Sequence, residues 1–122
     1  MNERRQFSRI LYDAKATLTQ GPNTWPTTIH DLSLNGALVE QPDGLSLNDH
    51  PLQLSFTLGD SDVVVSMETQ LSHRQDDLLG LSCLYIDLDS ISHLRRMLEL
   101  NLGDAELLNR ELKLFVKVHE QT

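Results

Sequence analysis

The sequence predicts a mainly β domain: a six-stranded antiparallel barrel with C-terminal α-helices and a flexible N-terminal arm. Three observations predict it. Between residues 14 and 86, short apolar runs recur with period-two alternation, punctuated by clusters of Gly, Pro, Asn and Asp. About six such runs at short, regular spacing suit a barrel, which closes its own edges. From residue 89 the apolar spacing changes to three and four residues, the period of a helix.

The elements follow in order. Residues 1–12 are basic and polar without periodicity, and read as an arm that is mobile when no ligand is bound. Residues 13–122 then form a single domain, with the barrel at about 13–87 and the helical part at about 89–118. Ala14–Gln20 alternates as a strand, and Gly21-Pro22-Asn23 turns the chain. Trp25–Leu32 is a second strand, in which Pro26 implies an edge or bulge position. Asp31 to Gly36 reads as a turn into the strand Ala37–Glu40, and residues 41–50 have the composition of a loop. Leu52, Leu54, Phe56 and Leu58 give the clearest alternation in the chain. After the turn Gly59-Asp60-Ser61-Asp62, Val63–Leu71 places Val63, Val65, Met67 and Leu71 on one face. Asp76-Asp77 turns again into Leu79–Ile86. Asp89 or Ser90 caps a helix carrying Ile91, Leu94, Leu98 and Leu102, which Gly103 ends. Asp104 caps a second helix with Leu108, Leu112 and Phe115 along one face.

Composition bounds the function. With 122 residues, 39% of them apolar and 23% charged, the chain can bury one core without disulfides or metal. Its single cysteine, Cys83, sits in an apolar strand pattern and reads as a buried structural thiol. No apolar stretch has the length of a signal peptide or a membrane span, so the expected setting is soluble and cytoplasmic, with no membrane partner. The net charge is −8, unevenly spread. Arg4, Arg5, Arg9 and Lys15 against Glu3 and Asp13 leave residues 1–20 at +2, while 6 basic and 16 acidic residues leave the remainder at −10. An acidic body repels a long polyanion, which argues against a nucleic-acid polymer, whereas a small phosphate-bearing ligand needs only the cationic tip.

Enzymatic signatures are missing from the sequence. It contains no Gly-x-Gly-x-x-Gly, no phosphate loop and no His-Glu-x-x-His, and its five histidines lack metal-ligand spacing. His30 lies near Ser33 without forming a recognisable triad. The chain is therefore read as a non-enzyme without catalytic residues, metal or cofactor.

Two features remain. Arg4-Arg5-Gln6-Phe7-Ser8-Arg9 contains Arg5-x-x-x-Arg9. Guanidinium forks bond phosphate or the Hoogsteen edge of guanine in pairs and stack on flat rings. Asp31-Leu32-Ser33-Leu34-Asn35-Gly36 places a carboxylate, a hydroxyl and a glycine at fixed offsets. The carboxylate can accept from guanine N1 and N2, the hydroxyl can reach a phosphate or base, and the glycine permits a positive φ or close backbone approach. Each feature alone also fits a solvated terminus or a strand-connecting turn.

Together, an arginine arm, a strand and then Asp-x-Ser-x-x-Gly, in a six-stranded domain of this size, resemble the PilZ family over essentially the whole chain. The family's paired signatures, Arg-x-x-x-Arg and Asp/Asn-x-Ser-x-x-Gly, stand here as Arg5/Arg9 and Asp31/Ser33/Gly36. The resemblance implies a stand-alone receptor for cyclic di-GMP, bound as one molecule or as a stacked pair. The implied site comprises Arg4, Arg5, Arg9, Asp31, Ser33 and Gly36, with Arg4 serving a second nucleotide. His73, near the end of the fifth strand, is a stacking candidate. The receptor would pass its signal to an unidentified effector protein, in settings such as motility or biofilm regulation. The alternative is a degenerate relative that binds partner proteins without nucleotide; a nucleic-acid-binding barrel is disfavoured further by the 5% aromatic content.

Overall fold

The computed structural model describes residues 7–48, 50–59 and 61–119. Arg4, Arg5 and Asp60 lie outside the described residues. Six antiparallel strands, β1 (Ile10–Gln20), β2 (Asn23–Ser33), β3 (Gly36–Glu40), β4 (Leu52–Thr57), β5 (Val64–Gln75) and β6 (Leu78–Ile86), precede helices α1 (Leu88–Leu102) and α2 (Ala105–His119). The strands close in the order β1-β2-β3-β6-β5-β4. The mainly β barrel with C-terminal helices is thus the fold that the alternation predicts.

The alternation builds the core directly. Leu52, Leu54 and Phe56 of β4 point inward while Gln53 and Thr57 face out. They meet Leu18, Ile29, Val65, Met67 and Leu79, all essentially inaccessible. Leu58 falls just past β4, where its N–H donates to Val63 O at 3.0 Å across the turn. Pro26 pairs with Thr17 of β1 at a point where β2 has no β3 neighbour, since β3 pairs only from Ile29 to Ser33. The missing N–H therefore costs no ladder bond.

Three boundaries differ from the sequence reading. First, β1 begins at Ile10, which pairs with Leu32, so residues 10–12 belong to the barrel and not to an arm. A register shift between Leu11 and Ala14 interrupts the alternation there and hides the strand from a periodicity search. Second, Leu71 does not join Val65 and Met67 inside; it is 37% exposed. The pairing of β5 with β4 stops at Thr69, and residues 70–75 run on beside β6 alone as a two-stranded ribbon. Third, the cap of α1 is Asp87, whose Oδ2 accepts from Ser90 N at 3.0 Å, and not Asp89 or Ser90. Ser90 is buried, and its Oγ accepts from Ser66 N at 3.0 Å, tying α1 to β5.

Gly103, in the left-handed region at φ 69°, closes α1, and Asp104 Oδ1 accepts from Leu107 N at 3.0 Å to start α2. Leu94 and Leu98 of α1 and Leu108 of α2 are fully buried. Among the described residues no helix is long and apolar enough to cross a membrane.

Candidate functional site

Strand geometry brings the second sequence motif together with the end of the arm. Asp31 of β2 lies between Leu11 of β1 and Leu38 of β3. Its carboxylate is only 14% exposed, and Arg9 Nη1 stands 3.5 Å from Oδ2. The other oxygen, Oδ1, is buried and has no hydrogen-bond partner among the described residues. A buried acceptor left in that state costs about 1–3 kcal/mol.

Ser33 ends β2, and its Oγ accepts from Asn35 N at 3.2 Å. Its hydroxyl proton is then free to donate elsewhere. Asn35 sits at the tip of the turn, with its carbonyl accepting from Cys83 N at 2.8 Å. Its side-chain Oδ1 is a second buried acceptor without a partner among the described residues. Gly36 opens β3 at φ 155°, where a Cβ would collide with the Leu81 carbonyl oxygen. The glycine is thus required by the close approach of β6, a demand that the motif alone did not reveal.

The β5–β6 ribbon supplies the opposite wall. His73 pairs with Gly80, and its imidazole occupies the space that a Cβ on Gly80 would fill. Arg9, Asp31, Ser33, Asn35, Gly36 and His73 all line one open cleft of about 290 Å³. Five of the residues read from the sequence therefore converge; Arg4 and Arg5 lie outside the described residues. Asn35, Phe7 and Gly80 also line this cleft and were not singled out. A glycine inside the apolar run Leu79-Gly80-Leu81 was the available signal for one of them.

The arm enters the cleft from a fixed seat. Phe7 is buried against Phe115 of α2, ring edge to ring face, with centroids 6.3 Å apart. Glu111 of α2 is buried too, and its carboxylate accepts from Ser8 N at 3.0 Å and from Ser8 Oγ at 2.5 Å. The two residues before Arg9 are therefore docked on the helix. Elsewhere, burial pushes the Cys83 thiol up to about 12, with a smaller opposing hydrogen bond from Tyr85, which keeps it a neutral core group.

The structure is thus a small closed barrel with a polar cleft that Arg9 and Asp31 line together. A family model for the PilZ domain matches residues 3–100, and the chain belongs to the PilZ domain family. The fold is similar to that of the Bacillus subtilis inhibitor of motility MotI/DgrA, with a TM-score of 0.64 and 20% identity over 80% of this chain and 53% of that one. This chain therefore spans about half the length of MotI/DgrA. The fold is also similar to the PilZ domain of CeSA from a cellulose-synthesizing bacterium, with a TM-score of 0.60 and 16% identity over 80% of this chain and 99% of that one.

Proposed function

We propose that this protein is a non-catalytic receptor for cyclic di-GMP that relays ligand binding to a partner protein. The observation that carries the reading is the buried Oδ1 of Asp31, without a partner among the described residues, at a cleft wall beside Arg9. Guanine offers adjacent N1 and N2 donors to such an acceptor, and the guanidinium of Arg9 supplies the bidentate fork for a phosphate or for the Hoogsteen edge. The free hydroxyl proton of Ser33 reaches a phosphate oxygen. His73, with one side of its ring against Gly80, stacks its other side on a base. Arg4 and Arg5 extend the cationic arm, and Arg4 serves a second, stacked nucleotide.

Seating of Phe7 and Ser8 on α2 lowers the cost of closure. Fixing the backbone costs about 1–2 kcal/mol per residue, and these two residues are already placed. Ligand capture by Arg9 pulls on the same segment, so the state of the cleft is transmitted to Phe115 and Glu111 of α2. A cytoplasmic setting follows from the ligand, and the similarity to an inhibitor of motility favours motility as the output.

Isothermal titration of the full chain with cyclic di-GMP tests the reading. Micromolar or tighter binding that Arg5→Ala and Asp31→Ala each weaken at least tenfold is the expected result. No heat, together with unchanged amide resonances for residues 4–9, would overturn it in favour of a nucleotide-independent interaction module.

A further inference from the structure

The turn between β2 and β3 is only two residues long, Leu34 and Asn35, because Ser33 pairs with Gly36. Leu34 is fully buried and roots the turn in the core. Asn35 is held through both of its backbone groups. Its N–H donates to Ser33 Oγ at 3.2 Å, and its carbonyl accepts from Cys83 N at 2.8 Å. Gly36, next along, leaves no room for a Cβ beside the Leu81 carbonyl, so β6 fixes the turn at two successive residues. The side-chain amide of Asn35 is therefore carried on a rigid platform, at the wall of the cleft that Asp31 also lines.

Two buried acceptors then stand at one cleft without donors among the described residues, Asp31 Oδ1 and Asn35 Oδ1. The second carboxylate oxygen of Asp31, Oδ2, faces Arg9. Each unpaired acceptor is unfavourable in the empty protein and favours a ligand that brings a donor to it. A pair of acceptors calls for a pair of donors. Among the common nucleobases, guanine alone sets two donor groups side by side, N1–H and the N2 amine. Adenine and cytosine place an amine beside a ring acceptor, and uracil places one N–H between two carbonyls. Phosphate contacts from Arg9 or Ser33 are open to any cyclic dinucleotide and cannot make this distinction.

We propose that Asn35 reads the 2-amino group of guanine and makes the cleft selective for it. Asp31 Oδ1 accepts from N1–H, and Asn35 Oδ1 accepts from the amine. The assignment rests on the receptor reading and adds to it the residue that sets the base preference.

Cyclic di-inosine monophosphate tests it, because it differs from cyclic di-GMP only in lacking both 2-amino groups. Isothermal titration of the full chain should show a preference of about tenfold or more for cyclic di-GMP, the usual effect of leaving a buried acceptor unpaired. In Asn35→Ala the preference should shrink to about threefold or less, because the acceptor that the inosine ligand leaves unpaired is gone. Asn35→Asp keeps an acceptor in place, so the preference should persist even though the added charge lowers both affinities. A preference that survives Asn35→Ala, or that Asn35→Asp abolishes, would overturn the proposal. So would an Asn35→Ala variant that loses discrimination against 2′-deoxy cyclic di-GMP instead, since the oxygen would then serve the ribose. A fall in melting temperature in Asn35→Ala that Asn35→Asp restores would assign the oxygen to a bond inside the protein, and would overturn it as well. A chain that binds neither nucleotide rejects the receptor reading and this assignment together, whereas one that binds both equally rejects this assignment alone.

Discussion

The imidazole of His73 lies against the backbone of Gly80, in the volume that any larger residue at position 80 would claim for its own Cβ. The ring is thereby presented to the cleft by the strand opposite, and not merely by its own. Gly80→Ala should expel it. Gly80 is buried, but the obstacle is a movable side chain, so stability should fall by about 1 kcal/mol, the centre of the range for single substitutions. Affinity for cyclic di-GMP should fall several-fold. Titration of Gly80→Ala, His73→Ala and the double variant checks this: the double variant should bind no worse than His73→Ala alone.

Gly36 presents the opposite case, because its neighbour is backbone. Gly36→Ala sets a Cβ against the Leu81 carbonyl at a φ of 155° that residues with side chains rarely adopt. Overpacking and strain each cost about 1–3 kcal/mol, so a loss of roughly 3 kcal/mol is expected, measured by chemical denaturation. The lesion should spread to the β3–β6 pairing, visible as faster amide exchange at Ser82 and Leu81.

Asp31 should separate stability from binding. Its Oδ1 lacks a donor among the described residues, so Asp31→Ala removes a buried polar atom that is costly to the empty protein. The melting temperature should stay level or rise, while affinity for cyclic di-GMP drops at least tenfold. A fall in both together would mark Asp31 as structural and count against its role as a ligand acceptor.

The Ser8–Glu111 pair should behave as one unit. Both contacts end on the same carboxylate, one from the Ser8 backbone and one from its hydroxyl. A double-mutant cycle of Ser8→Ala and Glu111→Ala should give a coupling of about 1–2 kcal/mol, as for hydrogen bonds to a charged group. Limited proteolysis should cut Glu111→Ala ahead of Ile10 faster than the wild type.

The cap of α1 predicts a dependence on pH. The Ser90 N–H and then the Ser90 hydroxyl hold the Asp87 carboxyl below the usual carboxylate value. A depressed folded value means stabilisation that is present at neutral pH and lost as pH falls through that value. Asp87→Ala should therefore cost about 1 kcal/mol near pH 7, the usual loss for a cap, and the gap from wild type should close in strong acid. Urea melts of both proteins from pH 7 to pH 2.5 check it.

What the sequence made legible follows physical lines. The period-two runs of β4 and β6 face one core on one side, so their pattern survives in the chain. Ile10–Tyr12 escaped notice because a register shift breaks their alternation. Leu71 misled because its pattern continues past the last residue that β4 covers. Asp31, Ser33 and Gly36 were readable as a local motif with fixed offsets. Phe7 and Glu111 were not: their partners lie more than a hundred positions away, and neither residue type announces such a contact. Asn35 stands at a variable position inside the motif, so the sequence does not mark it, yet among the described residues its buried Oδ1 lacks a donor as that of Asp31 does.

The seat of Ser8 on Glu111 has a consequence for the order of events during synthesis. Ser8 leaves the ribosome well before α2, and the carboxylate that fixes it follows 103 residues later. At ordinary elongation rates of 5–20 residues per second, that is a wait of roughly 5–20 s. Within that interval the barrel strands can pair as they emerge, while Phe7 and Ser8 still lack their partners on α2. Only the emergence of α2 seats Phe7 and Ser8 beside the cleft, which makes that helix the checkpoint at which a newborn chain completes the wall that Phe7 lends to it.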